Sequence, residues 1–484
     1  MDDRARIAHL LRRFGLGAGK TEVDLFAPLG VDGAISRLIN YDAIDEKFPV
    51  TAWEFMAYED GKFQLEPTQI TGWWAMRMMM SQRPLEQRLT LLWHDHFSVS
   101  GEKVFDAPMM LQYLEVLRKN ASGSFANLLN EVSRTPALLY YLDTHLSTKF
   151  KPNENFAREL LELFTLGQGN YTEKDIQEAA RALTGWSIHY GGIGLETAFE
   201  DLRQNAAKEK HSIFSYCEVP DLHDDGEKAI LGKRGKFGGQ DVLNLTLAHD
   251  ATPKFVARKL VGWLVGEGAT PALIEKVAAQ LRSGDFALKP ALRLIAESPE
   301  FWSQNTIRKN SKSPVDFTIA LFRQFGVNDI LLQLRGKPGE PLRKELKDIS
   351  LGLGYLMNQQ GLLLLYPPNV GGWEWGQAWI TSTNMTARWG HAKLIFQGDD
   401  PNRPIAAWIG QRIKNEFNAA SPSDVVEGFL QIFDAEPSAE QRNAMVTIAS
   451  KHEGARALGD KDRASALFVE LGTALFAMPS FQVC

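Results

Sequence analysis

Along most of the chain, apolar residues recur three and four positions apart, which is the period of an amphipathic helix. Ile7, Leu10, Leu11 and Phe14 make one such stripe, and Gly15-Leu16-Gly17 stops it. Val23, Leu25 and Phe26, then Ala34, Ile35, Leu38 and Ile39, repeat the pattern in two pieces broken at Gly30. After an irregular stretch at 41–66, Thr71 opens a helix rich in Trp and Met (Trp73, Trp74, Met76, Met78, Met79, Met80). Pro84 suits the first turn of the next helix, where its missing N–H has no partner to lose. Leu85, Leu89, Leu92 and Trp93 then form an inward stripe that runs into Trp93-His94-Asp95-His96-Phe97. Further short helices are predicted at 108–121, 125–133 and 136–142.

The stretch 153–186 reads as two helices joined by a Gly-rich turn. Asn153 or Asn155 caps the first, and Thr172 with Asp175 three positions on caps the second. Glu159 and Glu162 share a face, while Arg158 and Glu162 are four apart and able to pair. Leu160, Leu161, Leu163, Phe164 and Leu166 nearly fill the remaining surface, so burial on several sides is expected and the charged groups need partners. On the second helix Glu178, Arg181 and Gly185 lie on overlapping faces, with Ala179, Ala180 and Ala182 small enough for a close neighbour. Such charges either line a site or form an internal ion-pair network that fixes helix packing.

The texture changes at 188–238, where Gly-rich alternating segments (188–195, 212–216, 229–232) predict a small β-hairpin insertion. Helical periodicity resumes at 242–248, 253–265, 271–283, 287–298 and 314–325. A polar connection at 334–345 and a helix at about 346–358 lead to YPPNVGGWEWGQAW at 366–379, too rich in Pro, Gly and Trp for regular structure. GDDPNRP at 398–404 is the best linker, and three or four amphipathic helices follow it. The expected organisation is a main helical domain at 1–400 carrying the insertion, with a C-terminal helical subdomain at 401–484 packed on it. No series of strands alternates with helices, which excludes a Rossmann or barrel fold. The fold class is mainly α, a large multi-helix assembly.

Composition narrows the function classes. Apolar residues are 44% and charged residues 23%, as in ordinary globular proteins, so 484 residues support an extensive core. A net charge of −6 with no basic block argues against nucleic acid or an anionic membrane as the main partner. Two cysteines, Cys217 and Cys484, build neither a disulfide framework nor a cysteine-based zinc site. The opening MDDRARIAHLLRRFG lacks a signal-peptide core, and no run of about 18 apolar residues occurs, so a cytoplasmic location is expected with no integral membrane segment.

The chemistry-bearing residues are few. His94 and His96 stand two apart, about 200° around a regular helix, so both reach one divalent metal only if the helix ends or unwinds there. The following Ser98-Val99-Ser100-Gly101 makes an ending plausible. His94, His96 and His223 form the candidate metal set, with Glu159, Glu162 or His145 as other third ligands, although none has the spacing of a known metal motif. General acid–base chemistry by one histidine is a second role, and a helix-terminal polar cluster is a structural one. His223-Asp224-Asp225 precedes a glycine, as in many turns. Trp373, Trp375 and Asn369 suit an aromatic wall for a sugar or peptide, or a rigid plug over the core. No GxSxG, phosphate loop or GxGxxG is present.

Taken together, HLLRRFGLGA at 9–18, RPLEQRLTLLWHDHFSVS at 83–100, KPNENFARELLELFTLGQGNYTEKDIQEAARALTGW at 151–186, HDDGEKAILG at 223–232, ATPKFVARKLVGWLV at 251–265, PPNVGGWEWGQAWI at 367–380 and the closing MPSFQ resemble a bacterial family, domain of unknown function 1800 (DUF 1800). The resemblance covers essentially the whole chain and implies one large, predominantly helical unit. Many relatives look like RELLELHTLG, with histidine where this chain has Phe164, so a ligand or base at that position would be missing here. Members commonly begin with an export signal that this chain does not show. They are often encoded beside a sulfatase-like family, which implies envelope or polysaccharide biology and a sulfatase-like partner protein. The first functional expectation is therefore a hydrolase acting on a polysaccharide or other envelope polymer. Its catalytic set would be His94, Asp95, His96, Arg158, Glu159, Glu162 and His223, walled by Trp373, Trp375 and Asn369. The alternative is a non-catalytic helical scaffold or binding protein in envelope or secretion assembly. Convergence of those residues on one solvent-reachable cleft separates the two.

Overall fold

The structure is a computed structural model that describes every residue except 59, 191–195, 327–330, 333, 338–341 and 398–404. Two consecutive helices form its axis. Every residue of Pro84–His96 is buried, as is nearly every residue of Pro67–Met80. Pro67–Met80 begins four residues ahead of the Thr71 expected from sequence, because Pro67 supplies a pre-set first turn before the Trp/Met run. Helices enclosed on all sides must satisfy their polar side chains inside the protein. Ala107–Lys119 packs against both axis helices, and Pro314–Phe325 and Lys344–Asn358 cover Pro67–Met80 from the other side.

The pair at 153–186 forms as the sequence predicts, with one departure. Asn153 caps Glu154–Glu159 by accepting from the Asn155 N–H at 2.9 Å, but the helix then widens into a π-helix at Leu160–Thr165. Gly167 and Gly169, both at positive φ, turn the chain into Glu173–Ala182, which Thr172 and Asp175 cap reciprocally. The widening changes the side-chain register. Arg158 pairs with Glu154 (3.3 Å) and Glu173 (2.9 Å) and makes no salt bridge to Glu162, because the i,i+4 spacing of an α-helix no longer holds beyond Glu159.

The insertion is richer than a single hairpin. Trp186–Tyr190 pairs antiparallel with Phe214–Glu218, with a helix at Glu196–Lys208 between them, and a separate two-stranded hairpin joins Lys228–Ile230 to Lys233–Gly235. Part of the alternating segment at 188–195 lies outside the described residues. The second hairpin is held by charges of the helix beneath it. Arg181 bonds Asp224 (2.8 and 3.1 Å) and Glu178 (2.9 Å), while Glu178 accepts from Ala229 N–H and Asp175 from Leu231 N–H. Asp224 also accepts from Gly226 N–H, closing a turn.

Helices follow at Gly239–Ala248, Ala251–Leu264, Pro271–Ser283 and Leu288–Glu297, and 366–379 is irregular except for a 3₁₀ turn at Gly376–Trp379. The linker 398–404 lies outside the described residues. Beyond it stand Ile405–Phe417, Pro422–Ile432, Ala439–Lys451 and Lys461–Phe476. These four are tied to the rest by apolar and polar contacts alike. Phe325, Phe396 and Phe433 meet edge to face, Arg412 donates to the Gln324 and Phe325 carbonyls, and Asp434 accepts from Arg12 and Arg308, each at 2.8 Å. One hydrophobic cluster runs from Ile7 to Phe481.

Asp434 is the only carboxylate within salt-bridge reach of Arg12 among the described residues, and Arg12 is almost fully buried. Removing one partner of such a pair leaves a desolvated charge. Asp434→Ala is expected to lower the unfolding free energy in urea by about 3 kcal/mol, still in one transition. A second, separate transition for the C-terminal helices would show that the core is not shared.

Candidate functional site

Arg88, His94, Asp95 and His96 of the central helix each reach out to a different part of the chain. Arg88 donates to the carbonyls of Gly15 and Arg12 and pairs with Asp316 at 2.5 Å. Asp95 accepts from the Trp373 backbone N–H at 2.9 Å, with Lys259 3.9 Å away. His96 Nε2 contacts the Phe164 carbonyl at 3.0 Å, where it satisfies an acceptor at the end of the π-helix. His94 Nδ1 lies 2.9 Å from the Tyr113 hydroxyl, which itself donates to the Phe97 carbonyl. These partners make both imidazoles proton donors at the bonded nitrogen, so the other nitrogen is a bare acceptor. Neither His94 Nε2 nor His96 Nδ1 has a partner.

The helix continues through His96, and the two rings consequently face different shells. His94 sits among Trp74, Tyr113 and Trp373, and His96 among Trp93, Phe97, Phe125, Phe164 and Phe255. Both are sealed from water. Burial pushes both pKa values down to about 3, with the Lys259 charge acting in the same direction on His96. Burial raises the Asp95 carboxyl above its usual range, against the opposing pull of Lys259, the Trp375 indole and the Trp373 N–H. The Trp375 N–H has no hydrogen bond at normal geometry, yet lies close enough to favour the charged carboxylate.

The other sequence candidates lie elsewhere. Glu159 is half-buried, its carboxyl raised by burial and then by the charge of Glu162. Glu162 is held low by hydrogen bonds from Gln168 (2.7 Å) and Tyr171 (2.6 Å). Arg158 serves its ion pairs. His223 Nδ1 bonds the Thr184 carbonyl at 2.8 Å beside the insertion. The structure does not gather His94, His96 and His223 into a ligand set. Among the described residues no three of His, Cys, Asp and Glu are placed to hold a metal ion. The expected wall also divides. Trp373 is buried against His94, and the exposed Asn369 closes a turn onto Gly371 N–H, whereas Trp375 reaches a cleft.

That cleft, about 410 Å³, is lined by Arg13, Arg88, Trp263, Asn310, Asp316 and Trp375, among others. It joins the N-terminal helix, the central helix, Ala251–Leu264, the start of Pro314–Phe325 and the Trp-rich loop. Trp263 and Trp375 touch, their ring centroids 4.0 Å apart. Burial alone would raise Asp316, but the Arg88 charge and hydrogen bonds from Arg88 and Ser313 hold it below the usual carboxylate range. Arg13, Arg88, Trp263 and Asp316 were not singled out from sequence. Each arginine stands beside a strongly apolar helical stripe in the sequence, and only its burial in the folded chain separates it from a solvated edge.

Comparison with family models places the chain: a model described as Protein of unknown function (DUF1800) matches residues 9–483, and the protein belongs to that family. Neither the curated proteins nor the solved structures yield a match.

Two outcomes check this geometry. The unfolded chain takes up a proton at His94 near pH 6.5, whereas the folded chain refuses it until about pH 3, so this histidine costs stability progressively as pH falls through that window. His94→Gln removes that penalty. The stability deficit of the variant relative to the parent is expected to shrink by about 2 kcal/mol between pH 7 and pH 5, read by urea unfolding at each pH. A constant deficit would mean that His94 titrates normally. Gly372 is at φ +83°, and a Cβ there would overlap Asp95 Oδ1 and lie 2.6 Å from the Asp95 carbonyl oxygen. Gly372→Ala is therefore expected to destabilise by about 1–3 kcal/mol and to shift tryptophan emission as the 367–379 loop lifts; unchanged emission and stability would refute that close approach.

Proposed function

We propose that this protein is a glycan-binding helical scaffold whose binding site is the cleft between Arg13, Arg88, Asp316, Trp263 and Trp375. The observation that supports this is the pairing of two touching indoles with desolvated guanidinium groups on the walls of one cavity. Indole faces pack against the C–H faces of sugar rings, while fixed donors take up hydroxyl and ring oxygens, and a cavity of this volume falls in the range of small-ligand sites. The protein's twelve tryptophans and the large rigid core behind the loop suit a preorganised surface of this kind.

Hydrolysis asks for more. Glycoside cleavage uses two carboxyl groups flanking one bond, and acid–base catalysis in general requires the titrating group within reach of the reacting atom. His94 and His96 are sealed in aromatic shells, and Arg158 and Glu162 are engaged in ion pairs and hydrogen bonds of the 153–186 pair. In the cleft itself, Asp316 has both oxygens committed, to Arg88 and to Ser313. These placements favour binding over turnover.

The test is a fluorescence titration with defined oligosaccharides, accompanied by an assay for new reducing ends. Quenching or a blue shift that saturates, is lost in Trp375→Ala, and occurs without release of reducing ends is the expected result. Sustained cleavage that disappears on replacing Glu159 or Asp95 would return the protein to the hydrolases.

A further inference from the structure

Arg13 is almost completely buried, yet its hydrogen bonds go to two backbone carbonyls and a sulfur rather than to a carboxylate. Nε donates to the Leu264 carbonyl at 3.0 Å, Nη2 to the Trp263 carbonyl at 2.7 Å, and Nη1 to Cys484 Sγ at 3.1 Å. Among the described residues no carboxylate reaches salt-bridge distance of Arg13. Asp316 feels its charge without contacting it. Buried cations are ordinarily paired, because an isolated charge out of water is costly. Arg88, equally deep, spends Nε and Nη2 on the Gly15 and Arg12 carbonyls and on Asp316. Its Nη1 has no protein acceptor among the described residues and is not among the fully enclosed atoms. Both side chains line the cleft.

The carboxylates nearby do not meet this demand. Asp316 is consumed by Arg88 and Ser313. Glu267 stands on the exposed rim, where water screens it. Asn310 Oδ1 accepts from the Glu267 N–H, and its Nδ2 donates to the Val265 carbonyl. The cleft therefore holds one buried cation with no carboxylate at salt-bridge distance among the described residues and a free guanidinium edge, with few acceptors left over.

From this we infer that the cleft selects an acidic glycan, one whose sugar carries a carboxylate that takes the place of the missing counter-ion beside Arg13 and the open edge of Arg88. Guanidinium suits this role because its planar fork matches a carboxylate in geometry as well as charge. The inference rests on the glycan reading of the same cleft and names its ligand class. Trp375 and Trp263 would contact the sugar ring while the arginines hold its acid.

The discriminating pair of ligands is trigalacturonic acid and its methyl ester, which keep the rings and remove only the charge. Titration of the full chain by calorimetry is expected to show the acid binding at least about tenfold more tightly than the ester, with affinity falling as salt rises. Arg13→Lys, which keeps the charge but loses the fork, is expected to weaken the acid several-fold more than it weakens the ester. The comparison of acid with ester on the unaltered protein holds even if the arginine variants fail to fold. Equal affinity for acid and ester would overturn the inference while leaving glycan binding intact. Binding of neither, by protein that melts cooperatively, would remove both. If acetate or inorganic sulfate competes as strongly as the trisaccharide binds, the site reads the anion alone, and an acidic sugar is not its specific ligand.

Discussion

The fold depends on one demand: a helix with no solvent face must satisfy seven polar side chains. Pro84–His96 carries Glu86, Gln87, Arg88, Thr90, His94, Asp95 and His96, all buried. An unpaired polar group at that depth costs on the order of 1–3 kcal/mol, more if charged. Glu86 is met by Arg77, Arg83 and Arg118, and by Gln87, which in turn accepts from Trp74. Burial still wins, and the Glu86 carboxyl stays above its ordinary range despite three guanidinium groups. Thr90 turns back onto the Glu86 carbonyl, and Arg88, His94, Asp95 and His96 find partners in the Gly15 turn, Tyr113, the Trp-rich loop and the end of the π-helix. Segments far apart in sequence are thus fixed by a single helix.

The cleft is a product of that arrangement. Arg88 holds the N-terminal helix and the Pro314 helix together, Asp95 seats the loop that brings Trp375, and Arg13 joins the carbonyl end of Ala251–Leu264. Its charged walls are already buried and hydrogen-bonded, so little side-chain ordering remains for a ligand to impose. The histidines contribute differently. Neutral and enclosed, they act as shaped aromatic fillers with one directed hydrogen bond each, which is why their low pKa values accompany a packing role.

Much of the architecture was legible in the sequence. Amphipathic periodicity located the helices, and the caps at Asn153 and Thr172 were readable from residue type and spacing. Other features were not. The π-helix leaves no mark in composition, and it redirected Arg158 to Glu154 and Glu173. The helix between the paired strands of the insertion was missed because Gly-rich alternation on either side dominated the reading. For the site, the sequence identified His94, Asp95, His96 and the Trp loop as special without telling whether they face water. Arg13 and Arg88 escaped notice because an arginine in an apolar stripe is indistinguishable, in one dimension, from a solvated edge. Their roles follow from depth, and depth is a property of the assembled chain.

The π-helix at Leu160–Thr165 carries a consequence of its own. A π turn is in effect an α-helix with one residue to spare, and here the spare residue sets where the Phe164 carbonyl emerges to meet His96. Substitutions along this turn alter volume locally. A one-residue deletion would instead remove that spare residue and close the wide turn into α winding, withdrawing the outward carbonyl that meets His96 while the chain beyond keeps its register. In this segment the number of residues is a constraint in its own right, beside the burial of Leu160, Leu161, Phe164 and Thr165.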